Sequence, residues 1–396
     1  MRTLMHVIAV LRWEPASRHR IGYADIDVWF ELAKKGYVVH VVLQGRSNTR
    51  KILNGLHMWE VGLPGIPILS TFIYWVLSFF KLLEIRPDVV VVYYMSFPVG
   101  IMYKILRSCV LILDIRSIPV MSRIRLQRAL LKTVLLSGFI DGITIITKEM
   151  MLQIIRDYKV YPKVPIAVWP SGFNPRYFNE KVKGEHIRAR YGLGRRFILL
   201  YHGTIAKERG LENLIHALKI LVDKGIRSVG LWIIGSDKDK EVLKHLTTQL
   251  GLQEYILFFD PASYPEIAQY IAAADACIVP LPYHPWWLYQ FPLKVVECLA
   301  VGKPVIATDI PCHKQIKGGI LLIQGDSPQA IADTIKKFIS LPEAELERLR
   351  KEALVTAKNY SWEKHANITE KFLKQLIKIK ITQKKAKRGA EHLCAR

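Results

Sequence analysis

The stretch Phe291–Pro311 reads FPLKVVECLAVGKPVIATDIP. Pro292 suits the first turn of a helix, where its missing N–H would lack a partner in any case. Lys294 and Glu297 follow at helical spacing on one face, while Val295, Leu299, Val296 and Ala300 supply the apolar sides. Gly302 ends the helix, Lys303-Pro304 turns the chain, and Val305–Ala307 starts a buried strand. A helix N-terminus behind a proline-containing loop offers N–H groups and the positive end of the dipole to an anion. A carboxylate one turn further in can accept hydrogen bonds from a pair of hydroxyls. The combination suits a nucleoside diphosphate and its ribose. By spacing alone, an ordinary helix–strand unit with a solvated Lys–Glu pair reads the same way.

With Glu297, Ala300, Gly302, Pro304, Val305 and Ile306 in these places, the stretch resembles the donor-binding signature of the retaining GT-B glycosyltransferases, family 4 type. That signature often carries an earlier glutamate, at the position Tyr289 takes here, and Phe-Pro-Leu-Lys resembles a variant, Ser-Pro-x-Lys, that tends to lack it. Upstream, His202-Gly203-Thr204 and then Lys207 and Arg209-Gly210 sit between a strand and a helix. The family commonly places Gly-Arg and then Lys-Gly there, both cations gripping the diphosphate. Gly203 matches, Thr204 replaces the arginine, and Arg209 stands where the lysine is expected. Arginine suits a phosphate at least as well, because its charge is permanent and its donors form a fork.

The resemblance implies two Rossmann-like α/β domains facing each other across a cleft, with the donor in the second. It implies catalytic roles for Glu297, Arg209 and Lys294, and donor contacts from Gly203, Thr204, Lys207, Phe291, Pro292 and Leu293. Pro261, in the loop after a strand on the same edge, could line the base pocket through its backbone; a surface loop is the alternative. On the acceptor side, Asp114-Ile115-Arg116-Ser117-Ile118-Pro119 resembles a family variant reading Asp-Ile-Arg-Asp-Leu-Trp-Pro, which makes Asp114 and Arg116 candidates. Gly22 stands alone where the family usually has a glycine pair. The histidine the family often presents near Asp114 is missing, so the acceptor-side catalytic group stays unassigned.

Working outward, His6–Val10 reads as a strand, Arg12–Gly22 as a basic loop, Asp25–Lys35 as an amphipathic helix and Val38–Leu43 as the next strand. This order begins a doubly wound sheet. Ile66–Phe80 is an apolar helix, followed by strands at Val89–Tyr93, Cys109–Ile115, Asp141–Thr147 and Ile166–Trp169. Helices fall at Met102–Arg107, Ser122–Ser137 and Lys148–Asp157. Pro170-Ser171-Gly172-Phe173-Asn174 resembles the family's Pro-Asn-Gly-Val-Asp hinge. The expected organisation is an acceptor domain over residues 1–172, a linker over 173–196, and a donor domain over 197–360. A C-terminal helix, 361–380, packs back onto the first domain, and a basic tail, 381–396, frays after Gln383.

The 396 residues carry a net charge of +23, with 51% apolar residues, which reads as globular with ample core. Such a charge fits an anionic membrane surface, a phosphate-bearing substrate or a thermophile's lysine-rich exterior. No zinc-finger spacing, RNA-recognition aromatics or groove-directed helix-turn-helix is visible, so nucleic acid is not an expected partner. The five cysteines have no pairing rhythm; Cys277 and Cys298 sit in apolar runs and read as small buried hydrophobes in a reduced, cytoplasmic setting. The N-terminal apolar run is too short for a signal peptide and reads as the first strand. Asp237-Lys238-Asp239 superficially matches an Asp-x-Asp metal motif, but it reads as the loop after Ile234-Gly235. Neither a metal nor a cofactor besides the donor is expected.

Ile66–Phe80 is too short to span a bilayer. Its aromatics, Phe72, Tyr74, Trp75, Phe79 and Phe80, together with the basic helix from Ser122, suit a peripheral face on the inner side of a cell membrane. A core helix beside a solvated basic one is the alternative. The expected function is metal-independent, retaining transfer of a hexose from a UDP- or GDP-linked sugar to a glycan or lipid-linked acceptor. A sugar-nucleotide epimerase and a catalytically silent subunit of a glycan-assembly complex remain open.

Overall fold

The computed structural model describes residues 6–15, 26–45, 48–53, 55–63, 67–118, 124–192, 196–236 and 239–394. They form two compact units, one made of the described residues up to Pro170 together with those from Trp362 onward, the other of those in Ser171–Ser361.

The first unit runs β1 (Val7–Pro15), α1 (Ile26–Lys34), β2 (Val38–Gly45), β3 (Thr49–Leu53), β4 (Leu56–Gly62), α2 (Pro67–Ile85) and β5 (Val89–Val92). It continues with α3 (Phe97–Leu106), β6 (Val110–Ile115), α4 (Ile124–Leu136), β7 (Gly142–Ile145), α5 (Lys148–Tyr158) and β8 (Ile166–Val168). Its eight strands lie in the order β3-β4-β2-β1-β5-β6-β7-β8. All neighbours are parallel except the β3–β4 hairpin, which the reading of helix and strand periods passed over although Asn54-Gly55 is a hairpin turn signal. The central strands β5, β6 and β7 are buried along their whole length, as a parallel sheet covered on both faces requires.

The second unit begins with α6 (Glu185–Tyr191), β9 (Phe197–His202), α7 (Leu211–Asp223), β10 (Val229–Ile234), α8 (Lys240–Gln249), β11 (Ile256–Phe259), α9 (Tyr264–Ala273) and β12 (Ala276–Val279). After it come α10 (Pro285–Leu288), α11 (Leu293–Ala300), β13 (Val305–Thr308), α12 (Pro311–Lys314), β14 (Ile320–Ile323), α13 (Pro328–Ile339) and α14 (Glu343–Ala357). The six strands, all parallel, are ordered β11-β10-β9-β12-β13-β14. The chain winds outward from β9 to β11, then returns to β12 and winds the other way. The β9–β12 boundary is therefore the topological switch point, where open α/β sheets bind ligands at the strands' C-terminal ends.

Four expectations are corrected. The segment 173–196 is no free linker: it belongs to the second unit and contains α6, whose Arg188 donates to the carboxylate of Asp275 (2.8 Å) and the carbonyl of Ala273 (3.1 Å). The basic tail does not fray after Gln383, because α15 runs from Trp362 to Cys394; lysine, glutamine and alanine are good helix formers whatever their charge. Cys277 and Cys298 form a disulfide between β12 and α11. Of the aromatics expected on a membrane face, Tyr74 is fully buried and donates to the carbonyl of Val42 (3.0 Å), and Trp75 donates to that of Met95 (2.9 Å). A helix covering a sheet must turn one stripe inward even when every side is apolar.

In the first unit α15 packs against α1 and the sheet. Phe372 and Leu376 lie over Gly142, where any Cβ would collide with both side chains. Lys35 on α1 pairs with Glu370 at 2.7 Å, and Trp362 meets Trp169 edge to face.

Candidate functional site

Strand β9 ends at His202, and Gly203 follows with φ of 124°, a conformation that favours glycine. The backbone is crowded here: a Cβ on Gly235 would lie 1.6 Å from the Gly203 carbonyl oxygen, and one on Gly203 would lie 2.9 Å from Nζ of Lys294. The Lys294 ammonium, from the first turn of α11, thus sits directly over the end of β9. It also lies 4.1 Å from the centroid of the Tyr201 ring, a cation–π contact that fixes its position. The buried Tyr201 hydroxyl donates to the Thr204 carbonyl (2.8 Å). Burial raises the pKa of that phenol, and the charge of Arg209 acts in the opposite direction. Lys294 and Arg209 therefore act on one aromatic side chain from two elements.

Arg209 closes a single 3-10 turn, Lys207–Arg209, before Gly210 and α7. Its guanidinium lies 4.0 Å from the centroid of Trp287 on α10. The Trp287 indole N–H donates to the Glu208 carbonyl (2.8 Å), so one side chain holds both the cation and its turn. The Lys207 side chain is exposed, and its backbone N–H donates to Asp239 (2.9 Å). Gly210 is required as well, since a Cβ there would stand 1.9 Å from the Pro280 carbonyl oxygen.

Glu297 is buried, with Oε2 3.8 Å from Nε2 of His202. Burial, followed by the nearby charge of Lys294, pushes the His202 pKa down to about 3, against a weaker opposing hydrogen bond to the Lys294 backbone. His202 is thus neutral, and its contact with Glu297 is not an ion pair. The adjacent Cys298 sulfur lies 3.7 Å from the same ring nitrogen and bonds to Cys277, which ties α11 to β12 at the switch point.

The structure thus gathers Lys294, Glu297, Arg209, Lys207, Gly203 and Thr204 at the β9–β12 switch point. Leu293 opens α11, with Pro292 preceding it. The anion site expected from free N–H groups needs a correction: Leu293 N–H bonds to the Phe291 carbonyl (3.1 Å) and Val295 N–H to the Pro292 carbonyl (3.0 Å). Side-chain cations, rather than these two amides, supply the positive charge. Phe291 packs its buried ring against Tyr360, which leaves only its backbone for a ligand. Pro261 is exposed at the end of edge strand β11, two strands from β9.

In the first unit, Asp114 is fully buried; it accepts from Arg116 (2.6 Å, bidentate) and from the Thr144 hydroxyl (2.6 Å). Arg116 also donates to the Trp169 carbonyl (2.7 Å) and stacks on that residue's ring at 3.0 Å. The pair fastens β6 to β7 and to the end of β8. Gly22, Asp237 and Lys238 lie outside the described residues. Trp287, Tyr201 and His202 were not named as site residues. The signal for Trp287 was the aromatic run PYHPWWLY, Pro282–Tyr289, shortly before the signature stretch, while Tyr201 and His202 end the strand that leads into Gly203.

Residues 183–355 match the family described as glycosyl transferases group 1. D-inositol 3-phosphate glycosyltransferase 1 of Catenulispora acidiphila is 30% identical over 219 residues, covering 52% of this chain and 49% of that protein. The chain spans about half the length of the curated relatives it matches. Among solved structures, sucrose-phosphate synthase from Thermosynechococcus elongatus superposes with a TM-score of 0.77 at 17% identity, covering 94% of this chain and 100% of that one. An Anabaena protein solved in complex with UDP gives 0.71 at 15% identity, covering 94% and 99%. The matched segment is of the group 1 glycosyltransferase kind, and the chain has the GT-B fold. The matching segment lies within the unit that holds Lys294 and Arg209.

Proposed function

We propose that the protein transfers a hexose, with retention, from a UDP- or GDP-linked sugar to a glycan or lipid-linked acceptor, without a metal. One observation carries the reading: Lys294 and Arg209 are held on aromatic rings at the C-terminal end of β9, where a diphosphate would lie. When the bond between the sugar's anomeric carbon and the phosphate oxygen breaks, its electron pair leaves with the nucleoside diphosphate. Two fixed cations stabilise that growing charge without reorganising. The acceptor hydroxyl forms the new bond on the same face, and its proton passes to the departing phosphate oxygen. Glu297, one turn along α11 from Lys294, would accept from the ribose hydroxyls.

The test is release of UDP or GDP from a panel of nucleotide sugars with simple acceptors, read by chromatography. Acceptor-dependent release of one nucleotide is expected. Interconversion of the sugar without transfer would establish an epimerase instead. If no nucleotide sugar shifts the unfolding midpoint and none is turned over, the chain is a silent subunit.

A further inference from the structure

Helices α2, α3 and α4 make successive crossovers that move the same way across the first unit's parallel sheet, from β4 to β5, β6 and β7. Right-handed crossovers of that kind place all three on one face of the sheet. Each helix turns one stripe inward, so the opposite stripes point away from the sheet together. Those outer stripes are apolar to an unusual degree: Phe72 and Phe80 on α2 are each 61% exposed, Ile105 and Leu106 on α3 are 66% and 61%, and Leu136 at the end of α4 is 62%. The helices are neighbours. α2 packs along α3, and Lys104 of α3 reaches the Phe139 carbonyl just after α4, at 2.5 Å.

The charge on this face is mostly positive, and the exposed Glu84 of α2 is paired with Lys81 at 2.6 Å. Neither α3 nor α4 contains an acidic residue. Arg125, Arg128 and Lys132 are exposed and spaced to share a side of α4. Among the described residues, no helix is long and apolar enough to cross a membrane. We infer that this face docks on an anionic lipid surface, with the α2 and α3 side chains entering the interfacial layer and the α4 cations against the headgroups. A second copy of the chain is the poorer occupant, since it would bring two cationic faces together on a protein of net charge +23. The α3 stripe is what the sequence did not reveal, and it replaces Tyr74 and Trp75 in the apolar surface. A lipid-linked acceptor is the substrate class such a face would serve. That last step rests on the glycosyl-transfer reading; the docking surface does not.

The full chain is sedimented with phosphatidylcholine vesicles, with or without about 30 mol% phosphatidylglycerol, at low salt and at about 1 M salt, where screening acts within about 3 Å. Pelleting with the anionic vesicles only, lost at high salt, is expected. The double variant Ile105→Ser/Leu106→Ser should bind on the order of tenfold more weakly while melting like the parent. Arg128→Glu/Lys132→Glu should lose the preference for anionic lipid. Recovery of the parent in the supernatant with anionic vesicles at low salt would overturn the inference, as would parent-like binding by both variants. If the serine variant instead converts a dimer to a monomer and no vesicle binding occurs, the face joins two copies and the lipid proposal fails. Because no donor or acceptor enters the assay, its outcome is separate from that of nucleotide release.

Discussion

In the proposed reading, Glu297 and Arg209 carry opposite charges to opposite ends of the donor, so their loss should be felt differently from a loss of packing. A charge-assisted hydrogen bond contributes about 1.5–3 kcal/mol, which corresponds to roughly a tenfold to hundredfold loss in donor kcat/KM for Glu297→Gln and for Arg209→Ala. Steady-state kinetics beside a thermal melt will show this; parent-like turnover in both variants would mean the donor binds elsewhere. Trp287 acts through Arg209, by ring contact and by holding the Glu208 carbonyl. Together these are worth about 1–2 kcal/mol. Trp287→Ala should raise the donor KM several-fold with less effect on kcat, and Trp287→Phe, which keeps a ring and loses the N–H, should fall between. A parent KM for Trp287→Ala would show that the turn holds Arg209 unaided.

At the scale of elements, α11 is anchored twice. Its buried face, Val295, Val296, Leu299 and Ala300, packs in the second unit's interior, and Cys298 links it covalently to β12. The bridge joins residues 21 apart, a loop whose closure stabilises by about 3 kcal/mol in the chain-entropy account. Given about 2–4 °C per kcal/mol for a unit of this size, the double variant Cys277→Ser/Cys298→Ser should melt roughly 10 °C lower. Calorimetry of variant and parent checks this, with the parent under reductant as a companion. Coincident transitions would show that packing alone holds α11 in place.

The whole molecule encloses several histidines in neutral form. Burial lowers the pKa of His40 to about 4, assisted by His57 and nearby cations, that of His202 to about 3, and that of His313 to about 4. Unfolded, each titrates near about 6.5, so below that pH the unfolded chain binds more protons and is favoured. The stability these groups contribute is present above about pH 6.5 and is lost as pH falls from there toward their folded values. Urea midpoints should decline progressively from pH 7 to pH 5, and His313→Asn should flatten the slope. A midpoint constant over that range would mean the rings are charged or exposed in the native state.

Two α/β halves, most of the strands and the Lys294–Glu297 register were legible in the chain, because hydrophobic period, proline and glycine act over a few residues. The cations Lys207 and Arg209 between a strand and a helix were legible too, since they form a local pattern. What only the tertiary structure decided depends on the order of strands in the sheets. Arg209 and Trp287, far apart in sequence, meet because α10 returns beside the β9 loop. Cys277 finds Cys298 because β12 and α11 are consecutive layers of one unit. Asp114, which read as a ligand group, is buried because Arg116, Thr144 and Trp169 converge on the ends of β6, β7 and β8. On α2, apolar on nearly every side, composition could not say which aromatics face the sheet and which face outward. Burial of one stripe is settled by the neighbour it packs against, and that neighbour is supplied by the fold.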